Sequence, residues 1–263
     1  MEVLTPRTLV EALALRAARP DARPIQGGTD VLVELNFDRT RPAALLNLNE
    51  VAELRGVVRE ADVWVLGSGL TYAEAMREPV ALAFPALAQA SRTVGSPQIR
   101  NRGTLGGNLG TASPAGDALP PLLVYGASVT LASVRGTRTL PLAEFLLGVK
   151  RNALAPDELI LSVRVPSSDA RQTFMKVGPR NAMVISVCSL AVLADRERGE
   201  LRAAFGSAAP VVTLVTAPLA DAESFPDLVA AAARPIDDIR GTAEYRRHAL
   251  RVLARRALAR CLA

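Results

Sequence analysis

The stretch Gly95-Ser-Pro-Gln-Ile-Arg-Asn-Arg-Gly-Thr-Leu-Gly-Gly-Asn-Leu-Gly-Thr-Ala-Ser-Pro-Ala-Gly-Asp117 governs how the rest of the chain is read. It is rich in Gly and Asn, carries no helical apolar period and runs too long for a simple connection, so it is expected to be a functional loop rather than a regular element. Inside it, Thr104-Leu105-Gly106-Gly107-Asn108 has a counterpart far upstream in Gly27-Gly28-Thr29-Asp30. A Gly pair between a strand and a helix lets the backbone approach a phosphate and aim several N–H donors at it. One such pair is most simply a tight turn. Two of them, each beside Thr and one followed by Asn, suit a diphosphate gripped from two sides by uncharged donors. The two lysines of the chain, Lys150 and Lys176, lie near neither loop in sequence, which removes the P-loop and argues against ATP hydrolysis. Gly67-Ser68-Gly69 has Tyr72 where the Rossmann fingerprint needs Gly, so it reads as a plain turn. Asp117 either caps a helix expected near Pro120 or accepts hydrogen bonds from ligand hydroxyls or an imide N–H.

Outward from these loops, the first sixty residues read as a small βαβ unit. Thr5-Pro6 predicts a helix start, with Leu9, Ala12, Leu13 and Ala17 on one face; residues 23–26 and 43–48 predict strands, and 31–35 a helix. Val63 to Leu66 predicts a buried strand, and Thr71 caps a helix through Met76. A short helix is expected at 120–124, a hairpin over 129–141 turning at Arg135-Gly136, and a strand over 159–165. Pro166-Ser167-Ser168 is the clearest linker signal, followed by strands at 173–177, 185–192 and 201–205 and then helices. No internal repeat is present.

The length of 263 residues suits one large domain or two to three lobes, and a hydrophobic share of 49% excludes disorder. The net charge of +5 belongs to one segment: Tyr245 to Ala263 holds six Arg and no acid. A surface made for nucleic acid is therefore not expected. The tail reads as a helix with Leu250, Leu253, Ala257, Leu258 and Cys261 on a core-like face and its arginines in solvent. Two Cys cannot hold an iron–sulfur cluster or a disulfide framework, and His248, the one His, excludes a His-rich metal site. No signal peptide or membrane span is read from the sequence, which predicts cytoplasmic residence.

These loops carry a family resemblance. Gly27-Gly28-Thr29-Asp30 together with Ser96 to Leu109, continued by Ala112 to Asp117, resembles the FAD-binding subunit of the molybdenum hydroxylases, the family of xanthine dehydrogenase, aerobic carbon monoxide dehydrogenase and 4-hydroxybenzoyl-CoA reductase. Pro85-Ala86-Leu87, residues 145–148, Pro156 to Leu159, Lys176 with Arg180, and Tyr245-Arg-Arg247 fit the same order, so the resemblance spans nearly the whole chain. It implies an α+β protein: a vanillyl-alcohol-oxidase-type (PCMH-type) FAD-binding fold of two α/β subdomains, residues 1–56 and 57–166, then an α+β domain of the carbon monoxide dehydrogenase flavoprotein type at 167–263. It implies FAD held noncovalently: Ile25, Gln26, Gly27, Gly28, Thr29, Asp30 and Val31 around the pyrophosphate, with Thr104, Gly106, Gly107 and Asn108 on its other side. Ser113 would be a further cofactor contact, Asp117 would bond the ribityl or adenosine part, Ile160 would pack on the isoalloxazine, and Lys176 would sit near the flavin's polar edge.

The chemistry implied is electron transfer in a heterotrimer or a dimer of heterotrimers. An iron–sulfur small subunit would carry two [2Fe–2S] clusters, a large subunit the molybdenum cofactor, and FAD here would pass electrons to NAD, quinone or oxygen. No residue of this chain is then expected to act as nucleophile or base. Gln26 stands where many relatives have Ala, and Met183-Val184 where xanthine dehydrogenases tend to have acids. Two alternatives stay open: a standalone vanillyl-alcohol-oxidase-type flavin oxidase, and a non-enzymatic interaction or maturation protein with a degenerate flavin fold.

Overall fold

A computed structural model describes all 263 residues. The βαβ pattern at the N-terminus closes into a parallel three-stranded sheet in the order Glu2–Leu4, Ala44–Asn47, Arg23–Ile25. The helix over it runs Leu9–Ala18 and starts later than Thr5-Pro6 suggested. Its cap is Thr8, whose hydroxyl accepts from the Glu11 amide at 3.2 Å, while Glu11 in turn accepts from the Arg7 amide. The chain then turns through the first Gly pair into the helix Val31–Asn36.

A second sheet has five antiparallel strands in the order Val57–Glu60, Val63–Gly67, Leu159–Pro166, Ser128–Ser133, Gly136–Pro141. The third is an antiparallel meander, Arg171–Val177, Cys188–Asp195, Glu200–Gly206, Thr213–Pro218. Its second strand begins at Cys188 rather than 185, and Ile185 is exposed. Its last strand falls where helices were expected, because Thr213–Pro218 alternates exposed and buried along an edge. Cys188–Asp195 is buried on both faces: Ala191 and Leu193 join the core of the middle sheet, whereas Leu190 and Val192 pack under the helices Phe225–Ala232 and Ala243–Leu262. The third sheet is thus sandwiched between the core of the middle sheet and the two C-terminal helices.

Two sequence expectations change here. The stretch 95–117 is not a plain loop but holds two short helices, Pro97–Arg100 and Leu105–Thr111. Ser96 and Thr104 cap them, and Leu105 and Leu109, one helical turn apart, are fully buried. Gly has poor helix propensity, so the caps and these two core contacts determine the conformation. In the tail helix the stripe Leu250, Leu253, Ala257, Leu258, Cys261 is buried as expected, and Arg247, His248 and Arg255 are exposed. Arg246 is the exception, at 2% exposure. No helix is long and apolar enough to cross a membrane.

Candidate functional site

The two Gly-Gly segments meet. A Cβ on Gly27 would lie 2.2 Å from the Arg102 carbonyl oxygen, so only Gly lets the first turn press against the chain leading into the second. Gly28 has φ +73°, the left-handed conformation that turns the strand into the following helix. Thr111 Oγ1 donates to Asp30 at 2.9 Å and Thr104 Oγ1 to Gln26 at 3.4 Å, pinning the segments side by side.

Between them lies a cleft of about 530 Å³, within the usual range for small-molecule sites. It is lined by Ile25 to Val31, Thr104, Gly106, Gly107, Asn108 and Ile160. A smaller lobe of about 290 Å³ shares Thr29, Asp30 and Asn108 with it and adds Ser113 and Asp117. Every residue expected at the ligand lines one lobe or the other except Lys176, which stands behind Asp117.

The donors are unevenly divided. The backbone amides of Gln26 through Val31 donate to no group of the protein, leaving six consecutive N–H groups at the cleft. In the second segment the amides are engaged: Gly106 N–H bonds Ser68 O at 2.7 Å, Gly107 N–H bonds Thr104 Oγ1 at 3.0 Å, and Asn108 N–H bonds Thr104 O. A two-sided grip by amides is therefore not what the fold offers. The second segment supplies shape instead, since a Cβ on Gly107 would meet nothing but Thr104 Oγ1 within 4 Å, at 3.1 Å, and one on Gly110 nothing but Ile160, at 3.8 Å. Asn108 Oδ1 in this segment and Gln26 Nε2 in the first are each buried without a hydrogen-bond partner.

Asp117 does not cap the helix Leu119–Val124; Ala118 occupies the cap position with no side-chain bond. Its Oδ2 accepts from Lys176 Nζ and from Thr93 Oγ1, while Oδ1 is buried without a partner. Burial pushes the Asp117 carboxyl above the usual carboxylate range, with Lys176 and Thr93 pulling against it. Lys150, remote from both loops in sequence, also reaches the site. It lines the larger lobe and donates to Glu34 at 2.9 Å, holding that carboxyl below its ordinary value despite partial burial. Arg16, Arg23 and Arg151 line the same lobe, beside the acids Asp30, Glu34 and Glu158, and no local pattern announces them because each comes from a different element.

Neither Cys nor the His approaches the cleft. Cys188 and Cys261 are packed in the C-terminal core, where burial pushes their thiols up to about 12 and about 11. His248 is exposed on the tail helix.

Comparison with known proteins gives the family. Residues 1–168 match the family model described as the FAD binding domain in molybdopterin dehydrogenase. The xanthine dehydrogenase FAD-binding subunit of Escherichia coli O157:H7 is 30% identical over 274 residues, covering 97% of this chain and 94% of that protein. The nicotinate dehydrogenase FAD-subunit of Eubacterium barkeri is 37% identical over 71% of this chain and 66% of its own length. Among solved structures, a chain of carbon monoxide dehydrogenase from Hydrogenophaga pseudoflava superimposes with a TM-score of 0.92 at 26% identity, covering 100% of this chain and 97% of that one.

Proposed function

The chain belongs to the family of FAD-binding subunits of molybdenum hydroxylases, and on that premise we propose that it holds FAD noncovalently in the two-lobed cleft and relays electrons from [2Fe–2S] clusters on a partner subunit to an external acceptor such as NAD, quinone or oxygen. The observation that carries the reading is the row of six unbonded amides, Gln26 to Val31, in a cleft that the side-chain-free positions Gly107 and Gly110 also line. A diphosphate satisfies those donors, and the absent Cβ atoms leave it room.

FAD supplies the redox chemistry, exchanging electrons singly or in pairs; the protein supplies binding, orientation and the electrostatics around the ring. Ile160 lines the larger lobe and Asp117, with Lys176 behind it, the smaller one, so they serve opposite ends of the dinucleotide. We assign the isoalloxazine to the smaller lobe. There the unpartnered Asp117 Oδ1 is an acceptor suited to an imide N–H, and Lys176 behind it compensates the carboxylate. The adenosine then takes the larger lobe, where Ile160 contributes apolar surface in place of the ring contact its resemblance implies. The partners are an iron–sulfur small subunit and a molybdopterin-binding large subunit, assembled in the cytoplasm.

Purified chain should show a flavin absorbance spectrum, and acid precipitation should release all of it as FAD. The chain alone should oxidise no purine, aldehyde or aromatic acid. Flavin left in the pellet would support the tethered oxidase, and a colourless protein the interaction or maturation reading. Either result overturns the proposal.

A further inference from the structure

Tyr245-Arg-Arg247 lines neither lobe, yet Arg246 is the largest of the fully buried side chains. Its Nη1 donates to the carbonyl of Ser207 and its Nη2 to Asp238 Oδ1. Ser207 lies in the turn after the strand Glu200–Gly206 and has φ +59°, a conformation unfavourable for a residue with a Cβ unless its surroundings hold it. They do so from three sides. Arg246 takes the carbonyl, Ser186 Oγ lies 2.7 Å from Ser207 Oγ, and the Ser207 amide donates to the Pro114 carbonyl at 2.8 Å. Gly206 closes the fit, since a Cβ there would come within 2.9 Å of the same Pro114 oxygen.

Pro114 sits inside the segment whose other members, Ser113, Ala115, Gly116 and Asp117, line the smaller lobe. The contacts thus run without a gap from the tail helix, through Ser207, to the back of the cleft wall. A contribution to stability does not by itself account for the arginine, because a buried ion pair is often no better than apolar side chains of the same volume. What an apolar replacement cannot do is hold the Ser207 carbonyl.

We propose that Arg246 is a positioning residue for the cofactor cleft: by holding the Ser207 carbonyl it sets the Ser207 amide against Pro114 and so fixes the Ser113–Asp117 wall of the smaller lobe. This rests on the flavin reading of that lobe.

The test compares Arg246→Met and Arg246→Lys with Leu258→Ala, a core truncation twelve positions, or about 18 Å, further along the same helix. Arg246→Met should fold, bind FAD at least about tenfold more weakly and change the visible circular dichroism of bound flavin. Arg246→Lys keeps a donor for Ser207 and should recover most of both signals. Leu258→Ala should lower the melting temperature and leave both unchanged. Parental affinity and spectrum in Arg246→Met, or the same loss in Leu258→Ala, overturns the proposal. Should Arg246→Met not fold, Ser186→Ala removes one hold on Ser207 and is expected to weaken FAD severalfold; parental binding there is equally fatal. Hydrogen exchange in apoprotein separates this idea from the flavin reading. The Ser207 amide should exchange faster, relative to the other amides of its sheet, in Arg246→Met or, failing that, in Ser186→Ala, and not in Leu258→Ala; unchanged exchange overturns the positioning role even if the parent takes up no FAD.

Discussion

Gly107→Val is expected to give a folded chain whose FAD affinity falls by at least about a hundredfold, which is about 2.8 kcal/mol. The helix Leu105–Thr111 tolerates the change, since valine has better helix propensity than glycine and the new Cβ meets just the Thr104 hydroxyl, at 3.1 Å. The rest of the side chain projects into the cleft, across from the free amides of the first segment. Gly27→Ala is the contrasting variant: its Cβ would sit 2.2 Å from a backbone carbonyl, so the fold itself must shift whether or not ligand is present. Flavin content and melting temperature, measured on both, separate a lost ligand from a lost fold. Stoichiometric FAD on Gly107→Val would remove the second segment from the site.

The second large effect concerns the Asp117–Lys176 pair, in which both side chains are 6% exposed. Lys176→Met removes the cation and leaves a buried carboxyl, a loss of about 3–5 kcal/mol when the carboxylate stays charged. That is a fall on the order of 10 °C in melting temperature. Burial already raises the Asp117 pKa, and without Lys176 it rises further, so the folded variant keeps a proton that the unfolded chain releases above about pH 4. The folded state then binds more protons than the unfolded one, and stability falls as pH increases. The deficit of Lys176→Met against the parent should accordingly grow from pH 5 to pH 8. Adding Asp117→Asn should recover most of the loss at pH 8. A deficit that is flat with pH, or absent, would mean that Lys176 does not compensate the Asp117 charge.

Both predictions depend on a site that was partly legible from local chemistry. The Gly pair at 27–28 is a property of adjacent residues: a strand must end, turn and enter a helix, and only glycines allow both the φ of +73° and the 2.2 Å approach. The family resemblance holds for the same reason, since it rests on contiguous motifs and is matched over residues 1–168. The stretch 95–117 reads as loop in the sequence because its glycines mask the helical signal; Leu105 and Leu109 alone carry the period. The Thr8 cap was missed because Thr5-Pro6 offers the same chemistry three residues earlier.

By itself the sequence determined the turn chemistry of both Gly-Gly segments, the apolar stripe of the tail helix, and the scarcity of Cys and His that rules out a Cys-ligated iron–sulfur cluster and a His-rich metal site on this chain. Those features depend on neighbours along the chain, so composition and spacing express them. Tertiary structure alone decided which amides remain free, that Lys176 crosses 59 positions to Asp117 and Lys150 crosses 116 to Glu34, and that Arg246 turns inward while Arg247 stays in solvent. Each of these depends on strand register and on which element packs over which. A charged side chain carries no local signal of whether a partner will meet it inside the fold, so its role appears only when the sheets bring distant residues together.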